Sequence, residues 1–133
     1  MTYETADLYL EDVTHRGIDL QQLPFADATY DLVVCNHVLE HLPDDDRALR
    51  EIARIVRGSV VLTVPGDFGR RDTLHFAGEL PNGHYRDYGG DFIDRLRTVF
   101  SAVEVVDLHA FDRDTSGLSR GIRPRDLAFL CEP

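Results

Sequence analysis

The stretch that decides the fold is "DLVVCNHVLEHLPDDDRALREIARIVRGSVVLTVP", residues 31–65. It begins and ends with mainly apolar runs that lack polar alternation, residues 31–35 and residues 59–65. Runs without polar alternation are typical of parallel strands that are covered on both faces. Between them, apolar residues fall on one helical stripe: Leu49, Ile52, Ala53 and Val56. The pattern predicts two adjacent, central, parallel strands joined by a right-handed helical crossover.

The predicted helix has signals at both of its ends. Asp44, Asp45 and Asp46 stand in its first turn, where negative charge suits the positive end of the helix dipole. Gly58 is a residue type that commonly follows the last helical turn, and Pro65 closes the second strand. We therefore expect the helix to end at Gly58.

Outward from this unit, strand and helix patterns alternate. Short strands are predicted at residues 3–10 and 15–20, a glycine-rich polar loop at 66–83, and further strands at 103–111 and 126–133. A second helix over residues 91–100 directs five apolar side chains inward: Phe92, Ile93, Leu96, Val99 and Phe100. This order predicts one α/β domain over residues 1–133. Ligands of such sheets bind beyond the carboxyl ends of the strands, here Asp7, Asp19, residues 35–37 and residues 65–67.

Charge and hydropathy exclude some classes of partner. The formal net charge is −10, and every one of the fourteen basic residues is arginine. So acidic a surface repels phosphate backbones, which argues against nucleic acid, although an acidic proteome would give the same bias. No apolar run approaches the roughly 18 residues that span a bilayer, and the N-terminus lacks signal-peptide order. We expect a cytoplasmic protein whose two cysteines, Cys35 and Cys131, are buried thiols.

The segment His37-x-x-Glu40-His41 matches an inverted zinc-protease motif. A catalytic histidine pair at this spacing works best on one helix face, with further preorganised ligands. Here the segment directly follows a strand, Pro43 comes two residues later, and no distant helix offers an obvious third carboxylate. We therefore expect no metal site and no zinc proteolysis.

Two longer stretches carry a family resemblance. "LPFADATYDLVVCNHVLEHLPDD", residues 23–45, and "HYRDYGGDFIDRL", residues 84–96, closely resemble class I S-adenosylmethionine-dependent methyltransferases of the small-molecule type. The resemblance extends from residue 3 to the last strand. It implies a Rossmann-like methyltransferase fold, with a mostly parallel sheet flanked by helices. It also implies S-adenosylmethionine as cofactor and a small molecule as methyl acceptor.

The resemblance assigns cofactor-binding roles to matching residues. Asp7 corresponds to the acid that accepts hydrogen bonds from both ribose hydroxyls, a contact for which a carboxylate has enough acceptor positions. Asp19 corresponds to the acceptor of the adenine amine, and Leu20 offers its backbone N–H to the same ring. The wall beside the methionine portion corresponds to Cys35, Asn36 and His37.

The acceptor side is less defined by the resemblance. His41, His84, Arg86 and Tyr88 are its candidate residues. A hydrogen-bonded structural histidine, a salt bridge and a packed ring are the competing interpretations. A general base is needed only if the acceptor must lose a proton, and we assign none among His37, His41 and His84.

The glycine loop of the family is missing from this sequence. None of the ten glycines forms Gly-x-Gly, and only six residues precede Asp7. We expect an N-terminally truncated fold that lacks the first strand and first helix. The edge so exposed would be covered either by the Asp7 strand pairing with residues 31–35 or by another chain, most simply in a homodimer.

Two further expectations follow from the missing loop. The connection from Asp7 to Asp19 is short for a parallel crossover, so these strands would form an irregular hairpin. Without the loop, the chain would bind S-adenosylmethionine weakly or not at all. The alternative to an active methyltransferase is therefore a catalytically inactive methyltransferase-like interaction or regulatory module.

Overall fold

The computed structural model describes residues 2–77, 82–108 and 127–133. Its two α-helices are α1 (Asp45–Ile55) and α2 (Asp91–Val99), and a 3-10 turn spans Leu39–His41. Its eight strands are β1 (Ala6–Asp7), β2 (His15–Arg16), β3 (Tyr30–Asn36), β4 (Val56–Thr63), β5 (Leu74–His75), β6 (Arg86–Asp87), β7 (Ala102–Asp107) and β8 (Leu127–Glu132). Within the described residues, no helix is long and apolar enough to cross a membrane.

The main sheet has four strands in the order β3, β4, β8, β7. Strands β3 and β4 pair in parallel, with Val34 opposite Val61, as the two apolar runs predicted. Strand β8 pairs antiparallel with both β4 and β7, so β3, β4 and β7 share one direction. The predicted pairing is confirmed, but the prediction that both strands are central was wrong for β3. It is the edge strand of this sheet in the described part of the chain.

Helix α1 begins where its sequence signals placed it. The Asp44 side chain accepts a hydrogen bond from the Arg47 backbone N–H at 2.9 Å, which caps the helix. The predicted end at Gly58 was wrong, because the helix ends at Ile55 and Gly58 lies inside β4. A Cβ at this position would stand 2.2 Å from the Asp31 carbonyl oxygen. The glycine is there because two strands approach closely, not because a helix stops.

The core lies between one face of the sheet and the two helices. Apolar side chains of both layers are fully buried there: Leu49, Ile52, Val60, Leu62, Phe92, Leu96 and Phe129. The other face of the sheet carries Leu32 and Val34, which are 46% and 64% exposed. The expectation that β3 is covered on both faces was therefore wrong. An apolar run shows that a strand can be buried on both faces. Whether both faces are buried depends on the elements that pack against the strand.

Strands β1 and β2 form a separate two-stranded sheet. They pair in parallel, with Ala6 opposite His15 and Asp7 opposite Arg16, so the predicted irregular hairpin was wrong. Strand β1 pairs with β2 and not with β3, so the Asp7 strand does not close the edge of the main sheet. The Glu4 carboxylate, which precedes β1, links the two sheets: it accepts a hydrogen bond from the Tyr30 hydroxyl of β3 at 3.0 Å and lies 2.9 Å from Nε2 of His15 in β2.

The predicted loop at 66–83 contains a short strand. Strand β5 pairs antiparallel with β6, with His75 opposite Arg86. Gly66 bridges to Tyr88, and a Cβ at Gly66 would stand 2.4 Å from the Tyr88 carbonyl oxygen. Residues 78–81 of this loop, and residues 109–111 of the strand predicted at 103–111, lie outside the described residues.

Candidate functional site

Asp7 closes a tight turn at the end of β1. Its Oδ1 accepts the backbone N–H groups of Tyr9, at 2.7 Å, and Leu10, at 2.9 Å. The hydrogen bonds from Leu10 and then Tyr9 lower the pKa of the Asp7 carboxyl. The side chain is therefore an ionised acceptor at neutral pH, the state that a pair of ribose hydroxyls requires.

Asp19 lies in the wall of an open cleft. The cleft has a volume of about 300 Å³ and is lined by Gly17, Ile18, Asp19, Gln22, Leu23 and Pro24. Asp19 Oδ1 accepts hydrogen bonds from the backbone and side chain of Gln21, at 2.8 and 3.1 Å. Among the described residues, its Oδ2 accepts one long hydrogen bond, at 3.5 Å from the Gln21 amide. Leu20, the next residue, packs against the hydrophobic core.

Two contacts fasten the Asp19 loop to α1, one at the N-cap of the helix and one at Glu51 in its second half. Gln21 accepts the backbone N–H of Asp44 at 3.0 Å through its side-chain oxygen. The Leu23 backbone N–H donates to the Glu51 carboxylate at 2.8 Å. Because Asp44 follows the 3-10 turn that comes after β3, the bond from Asp44 to Gln21 holds this part of the loop beside the carboxyl end of β3. Gln21 was not among the residues that the sequence singled out.

Arg54 of α1 holds the other half of the same loop. Its guanidinium donates to the backbone carbonyls of Leu23 and Phe25, at 3.0 and 2.7 Å, and to the Asp27 carboxylate at 2.8 Å. Glu51 accepts two more of its N–H groups, each at 2.9 Å. Sequence reasoning missed this residue, because an arginine on the polar face of a helix usually indicates no more than solvent exposure.

The three residues at the end of β3 differ in accessibility. Cys35 is buried, and this burial, with a smaller contribution from the charge of Glu40, raises the pKa of its thiol to about 12. Its side chain therefore faces the core, and only its backbone borders the strand end. Asn36 is exposed, and its Oδ1 accepts a hydrogen bond from Thr63 on β4. Asn36 is thus held by the neighbouring strand.

His37 turns the chain out of the sheet. Its φ of 53° lies in the left-handed region, which is uncommon for a residue other than glycine. Its backbone N–H donates to the Thr63 carbonyl at 3.0 Å, which keeps it attached to β4. The side chain is 52% exposed, and Nδ1 lies 3.3 Å from Glu40 Oε1. Strained backbone of this kind often occurs at functional sites.

The 3-10 turn and the segment after residue 82 form a second cluster. His41 and His84 stack edge to face with ring centroids 4.9 Å apart, and both lie beside the buried carboxylate of Glu40. From the sequence we expected no metal site in the His37-x-x-Glu40-His41 segment, and the structure places Glu40 and His41 beside His84. His41 is brought to His84, a residue far along the chain, and a sequence pattern cannot show such a contact.

Arg86 and Tyr88 are buried rather than open to a ligand. Arg86 is 4% exposed and donates to the carbonyls of Leu39 and Pro43, each at 2.9 Å. Tyr88 is fully buried, and its hydroxyl donates to Asp45 Oδ2 at 2.8 Å. In this structure both side chains hold the turn that precedes α1. They match the salt-bridge and packed-ring interpretation of the sequence.

Comparison with known proteins identifies the family. A family model described as "Methyltransferase domain" matches residues 3–64, the segment that contains Asp7, Asp19 and β3. A "probable S-adenosylmethionine-dependent methyltransferase" of Mycobacterium tuberculosis is 34% identical over 111 residues, which are 82% of this chain and 37% of that protein. The chain belongs to the class I S-adenosylmethionine-dependent methyltransferases. S-adenosylmethionine is the cofactor of this family.

Solved methyltransferases share the fold. A 1,6-didemethyltoxoflavin N1-methyltransferase of Burkholderia thailandensis, whose structure contains S-adenosylhomocysteine, has a TM-score of 0.59 at 18% identity, covering 88% of this chain and 49% of that one. An S-adenosylmethionine-dependent methyltransferase of Mesorhizobium loti has a TM-score of 0.58 at 17% identity, covering 92% and 72%. These likenesses confirm the Rossmann-like fold class. This methyltransferase-family chain spans just over a third of the length of its Mycobacterium relative.

Proposed function

We propose that this chain forms the adenosine-binding part of a methyltransferase that acts on a small-molecule acceptor. Asp7 would accept hydrogen bonds from the ribose hydroxyls, and Asp19 one from the adenine amine, with the Leu20 backbone beside it. Asn36, His37 and the backbone of Cys35 would border the methionine portion. In the family, the bound cofactor supplies an electrophilic methyl group on a sulfonium ion.

The observation that carries this proposal is the fastened loop around Asp19. The loop is bonded to α1 at both of its halves, through Gln21 and through Arg54. It therefore presents the cleft and the weakly engaged Oδ2 of Asp19 in a fixed position. A preformed concave site with few polar groups is the usual form of a small-molecule site.

The residues of the chain would contribute chiefly by positioning. Methyl transfer is an in-line displacement, so holding both reactants in place and excluding water supply much of the rate. Asn36 is held by Thr63, and His37 by the backbone of β4, so both are preorganised at the strand end. If the acceptor must lose a proton, His37 is the exposed histidine nearest to this edge, although we assign it no catalytic role.

We propose that the chain alone binds the cofactor weakly. The missing Gly-x-Gly loop would remove hydrogen bonds to a charged group, each worth about 1.5–3 kcal/mol. A total loss of roughly 3–5 kcal/mol would shift a micromolar dissociation constant to about the millimolar range. The cofactor-binding residues would then be retained while much of the affinity is absent.

Titration with S-adenosylhomocysteine tests the proposed site. We expect saturable binding with a dissociation constant in about the millimolar range, measured by ligand-observed NMR. Asp7→Ala should abolish it. Asp12→Ala, which removes the same charge from an exposed position in the same segment, should leave it unchanged. Micromolar binding that Asp7→Ala abolishes would support the site and refute the weak affinity. No binding, or equal loss in both variants, would refute the site.

A second candidate function rests on the exposed side of β3. The structure leaves one edge of β3 without a strand neighbour among the described residues, and its apolar side chains Leu32 and Val34 are exposed. We propose that a second copy of the chain covers this surface. An inactive methyltransferase-like interaction module would need such a surface and no cofactor. Association without cofactor binding would therefore favour the module over the enzyme.

Net charge and cysteine content support a proposal about the acceptor and the cellular compartment. A net charge of −10 disfavours a nucleic-acid acceptor, because phosphate backbones would be repelled. Two unpaired buried thiols, Cys35 and Cys131, suit a reducing compartment. We propose a cytoplasmic location and a small-molecule acceptor.

A further inference from the structure

Glu40, His41 and His84 form a cluster that the proposed cofactor site does not use. Each offers one ligand atom, and these three atoms lie within 4.8 Å of one another. Glu40 is 1% exposed, whereas His41 is exposed and His84 is partly exposed. A buried carboxylate beneath two accessible imidazoles is an arrangement that could bind a cation from solvent.

The carboxylate of Glu40 lacks the partners that a buried charge requires. Its Oε2 has no hydrogen-bond partner within the described part of the chain. Its Oε1 lies 3.3 Å from His37 Nδ1 and 3.9 Å from His41 Nε2. An ionised group is costly to bury unless it is paired, hydrogen-bonded or bound to a metal. The buried guanidinium of Arg86 donates through Nη1 and Nη2 to the carbonyls of Leu39 and Pro43, and no described residue accepts a hydrogen bond from its Nε.

The ring of His41 is oriented as a metal ligand would be. Its Nδ1 lies 2.8 Å from the carbonyl oxygen of Gly83, which can accept but not donate a hydrogen bond. Nδ1 is therefore the donor of this bond, and Nε2, which in a neutral ring would carry the lone pair, lies 3.9 Å from Glu40 Oε1. A second ring nitrogen donating to a backbone carbonyl is the usual support of metal-bound histidines.

His84 is brought to the same place by its flanking backbone. The Tyr85 backbone N–H donates to the Glu40 carbonyl at 2.8 Å, and Gly83 accepts from His41. Both neighbours of His84 are thus bonded to the 3-10 turn. The imidazole between them has a ring nitrogen within 4.8 Å of the ligand atoms of Glu40 and His41.

We propose that Glu40, His41 and His84 bind one divalent transition-metal ion. Two imidazole nitrogens and one carboxylate oxygen suit Zn²⁺, Co²⁺ or Ni²⁺ better than Mg²⁺ or Ca²⁺, which prefer oxygen ligands alone. Metal–ligand distances of about 2.0–2.2 Å would draw the three atoms closer together, and the two exposed rings can move to allow this. A fourth position would stay open to water or to an acceptor. This inference does not depend on the proposed methyl transfer.

Titration of the full chain, without a histidine tag, with Co²⁺ tests the proposal. We expect visible d–d absorption that saturates at one ion per chain and disappears when Zn²⁺ is added. His84→Asn should weaken the binding about tenfold or more, as should Glu40→Gln. The matched control is His75→Asn, because His75 is an exposed histidine outside the cluster. The affinity of this variant for Co²⁺ should equal that of the unaltered chain.

Thermal unfolding gives a second readout that needs no enzyme activity. An ion that saturates the unaltered chain should raise the melting temperature of that chain and of His75→Asn by equal amounts, and that of His84→Asn by less. If Glu40→Gln fails to fold, His84→Asn decides, since His84 is partly exposed and its replacement leaves the buried carboxylate in place. No saturable binding below about 1 mM, or equal weakening in both histidine variants, would overturn the site.

Discussion

The hydroxyl of Tyr88 offers a direct test of how the turn before α1 is held. It donates to Asp45 Oδ2 at 2.8 Å in a fully buried position. Burial, and then the charge of Asp45, raises the pKa of Tyr88 far above its usual range, so the group stays a donor at any practicable pH. Tyr88→Phe removes the bond to Asp45, together with the weaker interaction of the hydroxyl with Arg86, and keeps the ring, whose centroid lies 4.5 Å from that of Phe92.

The expected cost follows from the partners that Asp45 retains. A hydrogen bond to a charged group contributes about 1.5–3 kcal/mol. Asp45 keeps Arg95 at 2.8 Å and Arg86 at 3.5 Å, so its carboxylate is not left unpaired. We therefore expect Tyr88→Phe to lower the free energy of unfolding by about 1.5–2.5 kcal/mol. For a chain of this length, the melting temperature should fall by about 5–9 °C.

Chemical denaturation of matched variants measures this cost. Tyr85→Phe removes a hydroxyl from a partly buried ring nearby, and it should change the stability by less than about 0.5 kcal/mol. A double-mutant cycle with Asp45→Asn should give a coupling energy of about 1 kcal/mol. Equal costs for the two tyrosine variants, or additive effects in the cycle, would refute the reasoning.

Two other predictions concern the buried thiols and the exposed side of β3. Burial raises the pKa of Cys35 to about 12 and that of Cys131 to about 11, so both thiols stay protonated in the folded chain after they ionise in the unfolded one. The contribution of the two thiols to the free energy of unfolding should be fully present below about pH 8.5. Above that pH, the free energy of unfolding should fall by up to about 1.4 kcal/mol per pH unit for each thiol. Denaturation at pH 7.5 and 10 checks this, and Cys35→Ala should show a smaller loss. Light scattering at micromolar concentration should give a dimer that Val34→Glu dissociates, and a monomeric unaltered chain would refute the proposed pairing.

Local signals explain the part of the fold that the sequence predicted. The apolar runs of β3 and β4 and the acidic residues at the start of α1 determine structure only within a few residues of their own positions. Asp44 caps α1, and Val34 pairs with Val61, because these preferences agree with the packing. The helix end predicted at Gly58 was wrong because sequence alone does not distinguish a glycine that ends a helix from a glycine that lets two strands approach closely.

The exposed side of β3 could not be predicted in the same way. Whether Leu32 and Val34 are covered depends on which elements lie beside them, and an apolar run carries no information on that. The parallel pairing of β1 and β2 likewise depends on the path of the chain between them, and a short connection suggested the opposite.

The candidate site was predictable where the family resemblance assigned residues and not where folding joined distant ones. Asp7 and Asp19 were named from matching segments, and their cofactor roles remain predictions. The direction of the Cys35 side chain followed from strand alternation, which the resemblance did not convey. The contact of His41 with His84 joins a turn to a distant segment, so no spacing rule could have found it.

The way in which Arg54 holds the Asp19 loop bears on how this loop can diverge among relatives. Two of its acceptors are the backbone carbonyls of Leu23 and Phe25, which exist whatever side chains stand there. Substitutions at these two positions leave the guanidinium contacts in place, so the loop can vary in sequence without losing its position. Arg54 itself has no such freedom, because a lysine cannot reach several acceptors in one plane. Homologues are therefore expected to differ along the loop while they keep the arginine.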